Sequence, residues 1–210
     1  MMSDLLADSY LIVGLGNPGS EYHGTRHNFG FIAVDFLLEK IDSAGPFTFI
    51  KELQSEIVVG KLADKPVCLL KPWTFMNRSG IAVQALLERQ KNINPHQIIV
   101  IHDDLDLDLG RVKLKLGGGS GGHNGLKSLV EEIGSTDFLR LRLGIGGESR
   151  VNTNDTVSFV LNRFTASELQ VVDDVKRRIH FGLIKFFDSG LMAAMNQLNC
   201  RVVSEKVCKE

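Results

Sequence analysis

The hydrophobic and polar positions of this chain follow two different periods. Short apolar runs at 10–13 and 98–101 end in glycine or polar residues, which predicts two buried strands. Over 29–41 the apolar side chains instead recur every three or four residues, which predicts a helix. His27 or Asn28 would then lie near the N-terminus of this helix.

The same periods predict further elements along the rest of the chain. The runs 57–59 and 67–70 predict a hairpin that turns near Ala63 and Asp64, and a helix is predicted just after Asn77. Further strands are predicted at 112–116 and 139–145, and further helices at 126–130, 165–187 and 191–198. Because strands and helices intermix throughout, we expect an α/β fold: a single domain over residues 1–210 with a twisted, mostly parallel mixed sheet flanked by helices.

Composition places the chain among globular proteins. Hydrophobic residues make up 43% and charged residues 23% of its 210 residues, which excludes disordered and collagen-like chains. The three cysteines form no CxxC pair, so we expect neither a cysteine zinc site nor a disulfide scaffold. The N-terminus lacks a basic region, and no apolar run reaches the ~18 residues of a membrane span. We therefore expect a cytoplasmic protein with no membrane contact.

Basic residues are concentrated in one part of an otherwise neutral chain. The net charge is −1, yet residues 111–150 carry seven basic and four acidic side chains. Arg111, Lys113 and Lys115 alternate with apolar residues, so they are predicted to share one face of a strand. Such a face is either simply solvated or docks a polyanion such as a nucleic acid, and charge alone leaves both interpretations open.

Polar residues gather where the predicted strands end. Asn17 follows the first strand, the strand at 98–101 is predicted to end at His102–Asp103, and His123–Asn124 follow the lysine-containing strand. In open α/β sheets the carboxyl ends of the strands border the ligand crevice. The sequence therefore predicts one site at this edge of the sheet.

His27 and Asp103 are the candidate acid–base pair of this site. A neutral imidazole can take a proton from water near pH 7. A carboxylate on its other nitrogen would fix the tautomer and stabilise the cation. Asn17, Asn77 and Asn124 would supply neutral amide donors for a developing oxyanion or for peptide carbonyls.

Three short motifs match the patterns of other protein classes. Residues 14–19 match the dinucleotide-binding GxGxxG, but Pro18 removes an N–H donor and the helix is predicted well downstream. Residues 118–122 match the GxSxG nucleophile elbow, yet the later histidine it needs, His180, falls in an amphipathic helix. The aspartates at 104–108 begin like a calcium loop, whose glycine and final glutamate are missing.

Five longer blocks resemble the signatures of one family, the bacterial-type peptidyl-tRNA hydrolases. They are GLGNPGSEYHGTRHNFG at 14–30, TFMNRSG at 74–80, HDDLDL at 102–107, KLKLGGGSGGHNG at 113–125 and RLRLGIG at 140–146. Their order and spacing are those of the family. Ser120 and Asp104 stand where the family pattern has His and Glu, which affects no proposed role.

The resemblance implies a monomeric, cytoplasmic α/β hydrolase that needs no cofactor and no metal. Its substrate would be peptidyl-tRNA, cleaved at the ester between the peptide and the 3′ ribose. His27 would be the general base and Asp103 would orient it, with Asn17 and Asn124 beside them in the catalytic set. The substrate-binding residues would be Tyr22, Asn28, Phe75, Met76, Asn77 and His123. The phosphate-binding residues would be Lys113, Lys115 and Arg142.

Two alternatives to a hydrolase remain on the sequence alone. A non-catalytic tRNA- or RNA-binding module of the same fold would keep the basic strand, although the intact His27, Asp103 and asparagine set disfavours it. A nucleotide-binding oxidoreductase would depend on the GxGxxG match alone. Release of the acyl group from charged tRNA separates the hydrolase from the module, and a change in melting temperature with NAD would favour the oxidoreductase.

Overall fold

The strands assemble into one mixed sheet. A computed structural model describes residues 9–43, 45–90, 92–147 and 156–200, and Arg150 and Cys208 lie outside these ranges. The strands are β1 (Tyr10–Gly14), β2 (Asp42–Ser43), β3 (Thr48–Ile50), β4 (Ser55–Leu62), β5 (Lys65–Pro72), β6 (Ile98–Asp108), β7 (Val112–Leu116) and β8 (Leu139–Gly146). Their order is β2-β4-β5-β1-β6-β8-β7, and β3 also pairs with β4.

The four central strands of this sheet are parallel. β1 pairs in parallel with β5 and β6, and β6 pairs in parallel with β8. The strands outside this group pair antiparallel, including the predicted hairpin of β4 and β5. That hairpin turns at Ala63 and Asp64, whose φ angles are 49° and 60°. The predicted mixed, mostly parallel sheet is confirmed.

Helices cover both faces of the sheet. They are α1 (Phe29–Leu38), α2 (Ser79–Arg89), α3 (Asn124–Ile133), α4 (Thr156–Leu161) and α5 (Ala166–Asn199). One buried cluster joins α1 and α5 to side chains such as Ile12 and Ile101, and a second joins α2 and α3 to Val13 and Val100. Gly190, with φ 82°, interrupts α5, in agreement with the two helices predicted there. Among the described helices, none has the length and apolar character that crossing a bilayer requires.

One predicted strand end was wrong. β6 does not end at His102–Asp103 but continues to Asp108, because β8 goes on pairing with it through Gly144 after β1 has stopped at Gly14. Asp103 is therefore an interior residue of β6, in the part that extends beyond β1. A neighbouring strand, which local periodicity does not reveal, determines this length.

Close packing brings the first turn of α1 against the sheet next to His27. A Cβ atom at Gly30 would lie 2.4 Å from the carbonyl oxygen of Ile101 and from the backbone nitrogen of Leu15. Only glycine permits this approach of helix to strands. His27, three residues earlier, is thereby held beside the projecting end of β6.

Candidate active site

His27 and Asp103 form a direct pair at the centre of the site. His27 lies in the short 3-10 turn before α1, and its Nδ1 is 3.1 Å from both carboxylate oxygens of Asp103. The side chain of His27 is 14% exposed and that of Asp103 only 3%. Since a carboxylate accepts hydrogen bonds, Nδ1 carries the proton and Nε2 is left with a free lone pair.

His123 also donates to Asp103. Its Nε2 lies 3.0 Å from Oδ1 of Asp103, while its Nδ1 accepts from the backbone N–H of Gly125 at 3.1 Å and of Leu126 at 3.4 Å. His123 is thus the N-cap of α3, and the capping bond places its remaining proton on Nε2. Burial alone would raise the pKa of Asp103, but the neighbouring His123 and His27 lower it well below its usual range.

His102 is a third histidine of the site, and sequence reasoning assigned it no role. Its Nδ1 lies 2.7 Å from the backbone oxygen of Asp103, and its ring packs edge-on against His123 at 5.0 Å. Burial, and to a lesser extent the neighbouring His123, lowers the pKa of His102 to about 3. His102 is therefore neutral at physiological pH and donates from Nδ1. In the sequence, only its position directly before Asp103 indicated that His102 could belong to the site.

Asn17 and Asn28 lock the loop after β1. The backbone N–H of Asn17 donates to Oδ1 of Asn28 at 2.9 Å, and Nδ2 of Asn28 donates to the carbonyl of Asn17 at 2.9 Å. Oδ1 of Asn17 accepts from the backbone N–H of Met76 at 2.7 Å. The Nδ2 group is therefore the end of the Asn17 side chain that can donate to a ligand.

A cavity of about 620 Å³ opens beside the histidines. His27, Asp103, His123 and Asn124 line one part of it. Lys115, Arg140, Arg142 and most of the glycine loop at 117–122 line another, and Thr156, Val157 and Val160 of α4 also contribute to the wall. The predicted catalytic residues His27, Asp103 and Asn124 thus share one cavity with two of the three predicted phosphate ligands.

The basic residues of β7 and β8 lie side by side. Lys113 is paired with Arg142 and Lys115 with Arg140 in the antiparallel register, which places all four on one face. Arg142 is already bound, since its Nε lies 2.6 Å from Oδ2 of Asp104. Arg111 does not share this face as predicted: β7 begins only at Val112, and Arg111 Nη2 donates to the carbonyl of Asn199.

Comparison with known proteins identifies the family. The family model described as Peptidyl-tRNA hydrolase matches residues 11–207. The chain belongs to the peptidyl-tRNA hydrolase family. The family predicted from the five sequence blocks is thereby confirmed, and with it the predicted hydrolase class.

Individual members of the peptidyl-tRNA hydrolase family match over most of their length. The peptidyl-tRNA hydrolase of Aquifex aeolicus is 42% identical over 91% of this chain and 97% of its own. That of Neisseria gonorrhoeae is 49% identical over 78% of this chain and 83% of its own. The crystal structure of the Arg119Gln mutant of the Acinetobacter baumannii peptidyl-tRNA hydrolase superposes with a TM-score of 0.82 at 38% identity, covering 92% of this chain and 96% of that one.

Several residues predicted to bind substrate in this peptidyl-tRNA hydrolase lie outside the lining of the cavity. Tyr22 and Phe75 form an edge-on aromatic pair with ring centroids 6.5 Å apart, and Phe75 is 56% exposed. Met76 and Asn77 are in the following 3-10 turn, where Met76 is buried and Asn77 is exposed. Through the Asn17–Met76 hydrogen bond this turn is attached to the loop that precedes His27.

The competing motifs are not supported by this fold. Helix α1 begins at Phe29, so its N-terminus is not at the glycines of 14–19 where a dinucleotide site needs it. His180 lies in α5 with its ring against Phe181 rather than at the glycine loop that contains Ser120. Cys68 and Cys200, the two cysteines in the described residues, are free thiols.

Among the described residues, His27, Asp103 and His123 form a group that could hold a metal ion. Each offers one donor atom, and these atoms lie within 4.8 Å of one another. The two imidazole nitrogens point at Asp103 as hydrogen-bond donors, so a cation would have to displace both protons. The expectation that the enzyme needs no metal stays a prediction.

Proposed function

We propose that this chain hydrolyses the ester between a peptide and the 3′ ribose of tRNA, with His27 as general base. The observation that carries the proposal is the 3.1 Å contact between Nδ1 of His27 and Asp103 at the wall of the cavity. The contact holds the imidazole in the tautomer whose Nε2 can accept a proton. An ester bonded to an RNA chain also explains why basic residues lie in the same cavity as the base.

The reaction begins when water attacks the ester carbonyl. One proton of the water passes to Nε2 of His27 while its oxygen bonds to the carbonyl carbon, and Asp103 stabilises the resulting imidazolium. Asn124, with Asn17 nearby, donates amide hydrogen bonds to the tetrahedral oxyanion. The intermediate then breaks its bond to the 3′ oxygen, which takes the proton back from His27. The peptide is released as a carboxylic acid that loses its proton to solvent, so the products are a peptide carboxylate and a tRNA with a free 3′ hydroxyl.

The remaining predicted residues would bind the two parts of the substrate. Tyr22, Phe75 and Met76 would form the wall for the terminal adenosine and the peptide, with Asn28, Asn77 and His123 as polar contacts. Lys113, Lys115 and Arg142 would meet phosphates of the acceptor stem. This reaction uses protein side chains and water. We propose that a monomer carries it out in the cytoplasm.

A non-catalytic RNA-binding module is the second candidate function. The four basic residues on β7 and β8 would serve such a module equally well. The hydrogen-bonded His27–Asp103–His123 network would not, because RNA binding does not need a hydrogen-bonded base with a free nitrogen. Catalysis is therefore the better account of the site.

The deciding experiment measures release of the acyl group from N-acetyl-aminoacyl-tRNA, beside unblocked aminoacyl-tRNA. We expect the wild-type protein to cleave the blocked substrate. His27→Ala should lower turnover at least about a hundredfold while tRNA binding persists, because general-base assistance is worth ~10²–10⁴-fold. His96→Ala, which removes an exposed histidine outside the cavity lining, is the matched control and should be fully active. A folded wild-type protein that binds tRNA but cleaves neither substrate would favour the binding module.

A further inference from the structure

Arg140 is a buried cation with unused hydrogen-bond donors. The residue is 2% exposed, and its guanidinium carbon lies 4.6 Å from the centre of the Phe138 ring. Nη1 donates to the carbonyl of Gly119 at 2.6 Å. Nε and Nη2 are buried and have no hydrogen-bond partner among the described residues. Two donors on one side chain are therefore left without an acceptor inside the cavity wall.

The charges around Arg140 make its position costly. Within the described residues no carboxylate pairs with it, and its neighbours Lys115 and Arg142 are both cationic. Asp104, one of the acids that line the cavity, is bound to Arg142. Burial and the charge of Arg142 both lower the pKa of Arg140. A buried charge without a counter-ion destabilises the folded state, so this position calls for an anion that the described residues do not supply.

The loop next to Arg140 is open on its outer side. Gly117, Gly118, Gly121 and Gly122 all have positive φ angles, between 58° and 110°. A Cβ atom at Gly119, Gly121 or Gly122 would meet nothing within 4 Å. An incoming group can therefore approach the backbone of this loop closely, and the Gly119 carbonyl on Arg140 can move without displacing packed side chains.

We propose that Arg140 binds the last phosphodiester of the RNA substrate, through the donors of its guanidinium that have no partner among the described residues. The proposal deepens the proposed function. In the substrate the carboxyl group of the peptide is esterified and carries no charge, so the nearest obligatory anion is the phosphate on the ribose that bears the ester. Adjacent guanidinium N–H groups match two phosphate oxygens.

The register of the strands gives the scale of this arrangement. Arg140 is paired with Val100 on β6, three residues before Asp103. Three residues of strand span ~10 Å. Residues three apart on a strand point to opposite faces, so the side chains of Arg140 and Asp103 are brought together only by the cavity that both line. An RNA end whose ester reaches His27 would follow this cavity to Arg140 and the exposed Lys115.

The test measures binding of the trinucleotide CpCpA and of an analogue whose last phosphodiester is a neutral methylphosphonate. We expect the neutral linkage to weaken binding to the wild-type protein about tenfold or more, the size of effect of losing charge-assisted hydrogen bonds. Binding to Arg140→Gln should change less than about twofold between the two RNAs. Lys127→Gln, an exposed residue outside the cavity lining, removes the same charge and should behave like wild type.

Thermal stability separates this assignment from a purely structural role. Because Arg140 is an unpaired buried cation, Arg140→Gln should keep the wild-type melting temperature within a few degrees or raise it. A large drop in melting temperature with equal phosphate dependence in both proteins would overturn the proposal. If Arg140→Gln does not fold, Arg140→Lys keeps the charge without the planar donors and should lose most of the phosphate effect; full retention would contradict the assignment.

The RNA probes contain no ester, so this experiment does not depend on hydrolysis. A protein without hydrolase activity can still show the coupling between Arg140 and the phosphate, and an active hydrolase can lack it. If an acetylated amino acid with a free carboxylate competes with CpCpA only when Arg140 is present, while the neutral linkage binds normally, the residue binds the carboxylate of the product and the phosphate assignment is wrong.

Discussion

Nε2 of His123 lies 3.0 Å from Oδ1 of Asp103, so this carboxylate accepts from an imidazole other than that of His27. Sequence reasoning placed His123 among the substrate-binding residues and did not foresee the contact. The N-cap bonds of His123 to α3 fix its tautomer and tie Asp103 to the first turn of that helix. Asp103 is therefore oriented from two directions, and His27 is positioned through it.

Replacing His123 should impair catalysis without loss of the helix. His123→Asn keeps a good N-cap for α3, so the melting temperature should stay close to wild type. Asp103 loses one of its donors, and we expect turnover on N-acetyl-aminoacyl-tRNA to fall about tenfold, in line with the loss of a charge-assisted hydrogen bond. Asp103→Asn, which also removes the negative charge beside His27, should fall further but stay above His27→Ala. The ranking of the three turnover rates is the measurement, and a His123→Asn enzyme with wild-type turnover would contradict the two-donor account.

Arg26 attaches the His27 turn to the C-terminal helix. Its Nη2 lies 2.9 and 2.8 Å from the two carboxylate oxygens of Glu168, and Nη1 donates to the carbonyls of Asn162 and Arg163. Glu168→Gln retains the capping box with Thr165 but removes the ion pair. We expect kcat to fall several-fold with KM unchanged, since His27 is displaced while the RNA-binding face is not.

The control for this prediction is another arginine–carboxylate ion pair, far from the His27 turn in sequence. Asp174→Asn breaks the exposed ion pair with Arg177 on the same helix, and should leave kcat unchanged. Glu168→Asp, which keeps the charge, should recover part of the lost kcat. If Glu168→Gln has the wild-type kcat, or if its KM changes along with its kcat, the position of the His27 turn does not depend on the ion pair of Arg26.

Local patterns predicted the longer strands and helices of this fold, because those patterns need no knowledge of distant contacts, but they did not predict β2, β3 or α4. The hairpin at Ala63–Asp64 and the break in α5 at Gly190 were predicted from alternation and spacing alone. The length of β6 could not be predicted in this way, since β8 extends it beyond β1. The end of β6 is determined by pairing with β8, in which Asp103 lies opposite Leu143. Such a distant contact is not visible in the local pattern of residues.

Contacts between distant residues also limited what could be predicted about the site. The family resemblance pointed to the 3.1 Å contact of His27 with Asp103. It did not point to the burial of Arg140 or to the ion pair of Arg142 with Asp104, because alternation on β8 predicts equally exposed basic residues. The sequence shows that a residue is basic, but it does not show which carboxylate, if any, will pair with it in the fold. In the fold, one arginine has a carboxylate partner and the other has none among the described residues.

Lys113 and Lys115 should determine the salt dependence of tRNA binding. Neither forms an ion pair with a described residue, whereas the charge of Arg142 is already paired with Asp104 through Nε. Each lost phosphate contact should reduce the slope of log K against log salt by about 1. We therefore expect Lys113→Ala with Lys115→Ala to reduce the slope by about 2, and Arg142→Ala to have a smaller effect. Titrations at several salt concentrations measure this, with exposed Lys65→Ala as control; an unchanged slope in the double variant would place the tRNA path elsewhere.

His102 should make the stability of the protein fall on acidification. Its pKa is about 3 in the folded state against an ordinary value of 6.5, so between these values the unfolded chain binds a proton that the folded protein does not. Stability from this group is complete above pH 6.5 and is lost as pH falls towards 3, by up to about 1.4 kcal/mol per pH unit. His102→Asn can still donate to the carbonyl of Asp103 but cannot titrate. Urea unfolding at pH 7, 6, 5 and 4 should therefore show a shallower loss of unfolding free energy than in wild type, while exposed His96→Asn keeps the wild-type slope. Identical slopes for wild type and His102→Asn would mean that His102 is protonated in the native protein and that the hydrogen bonding assigned around Asp103 is wrong.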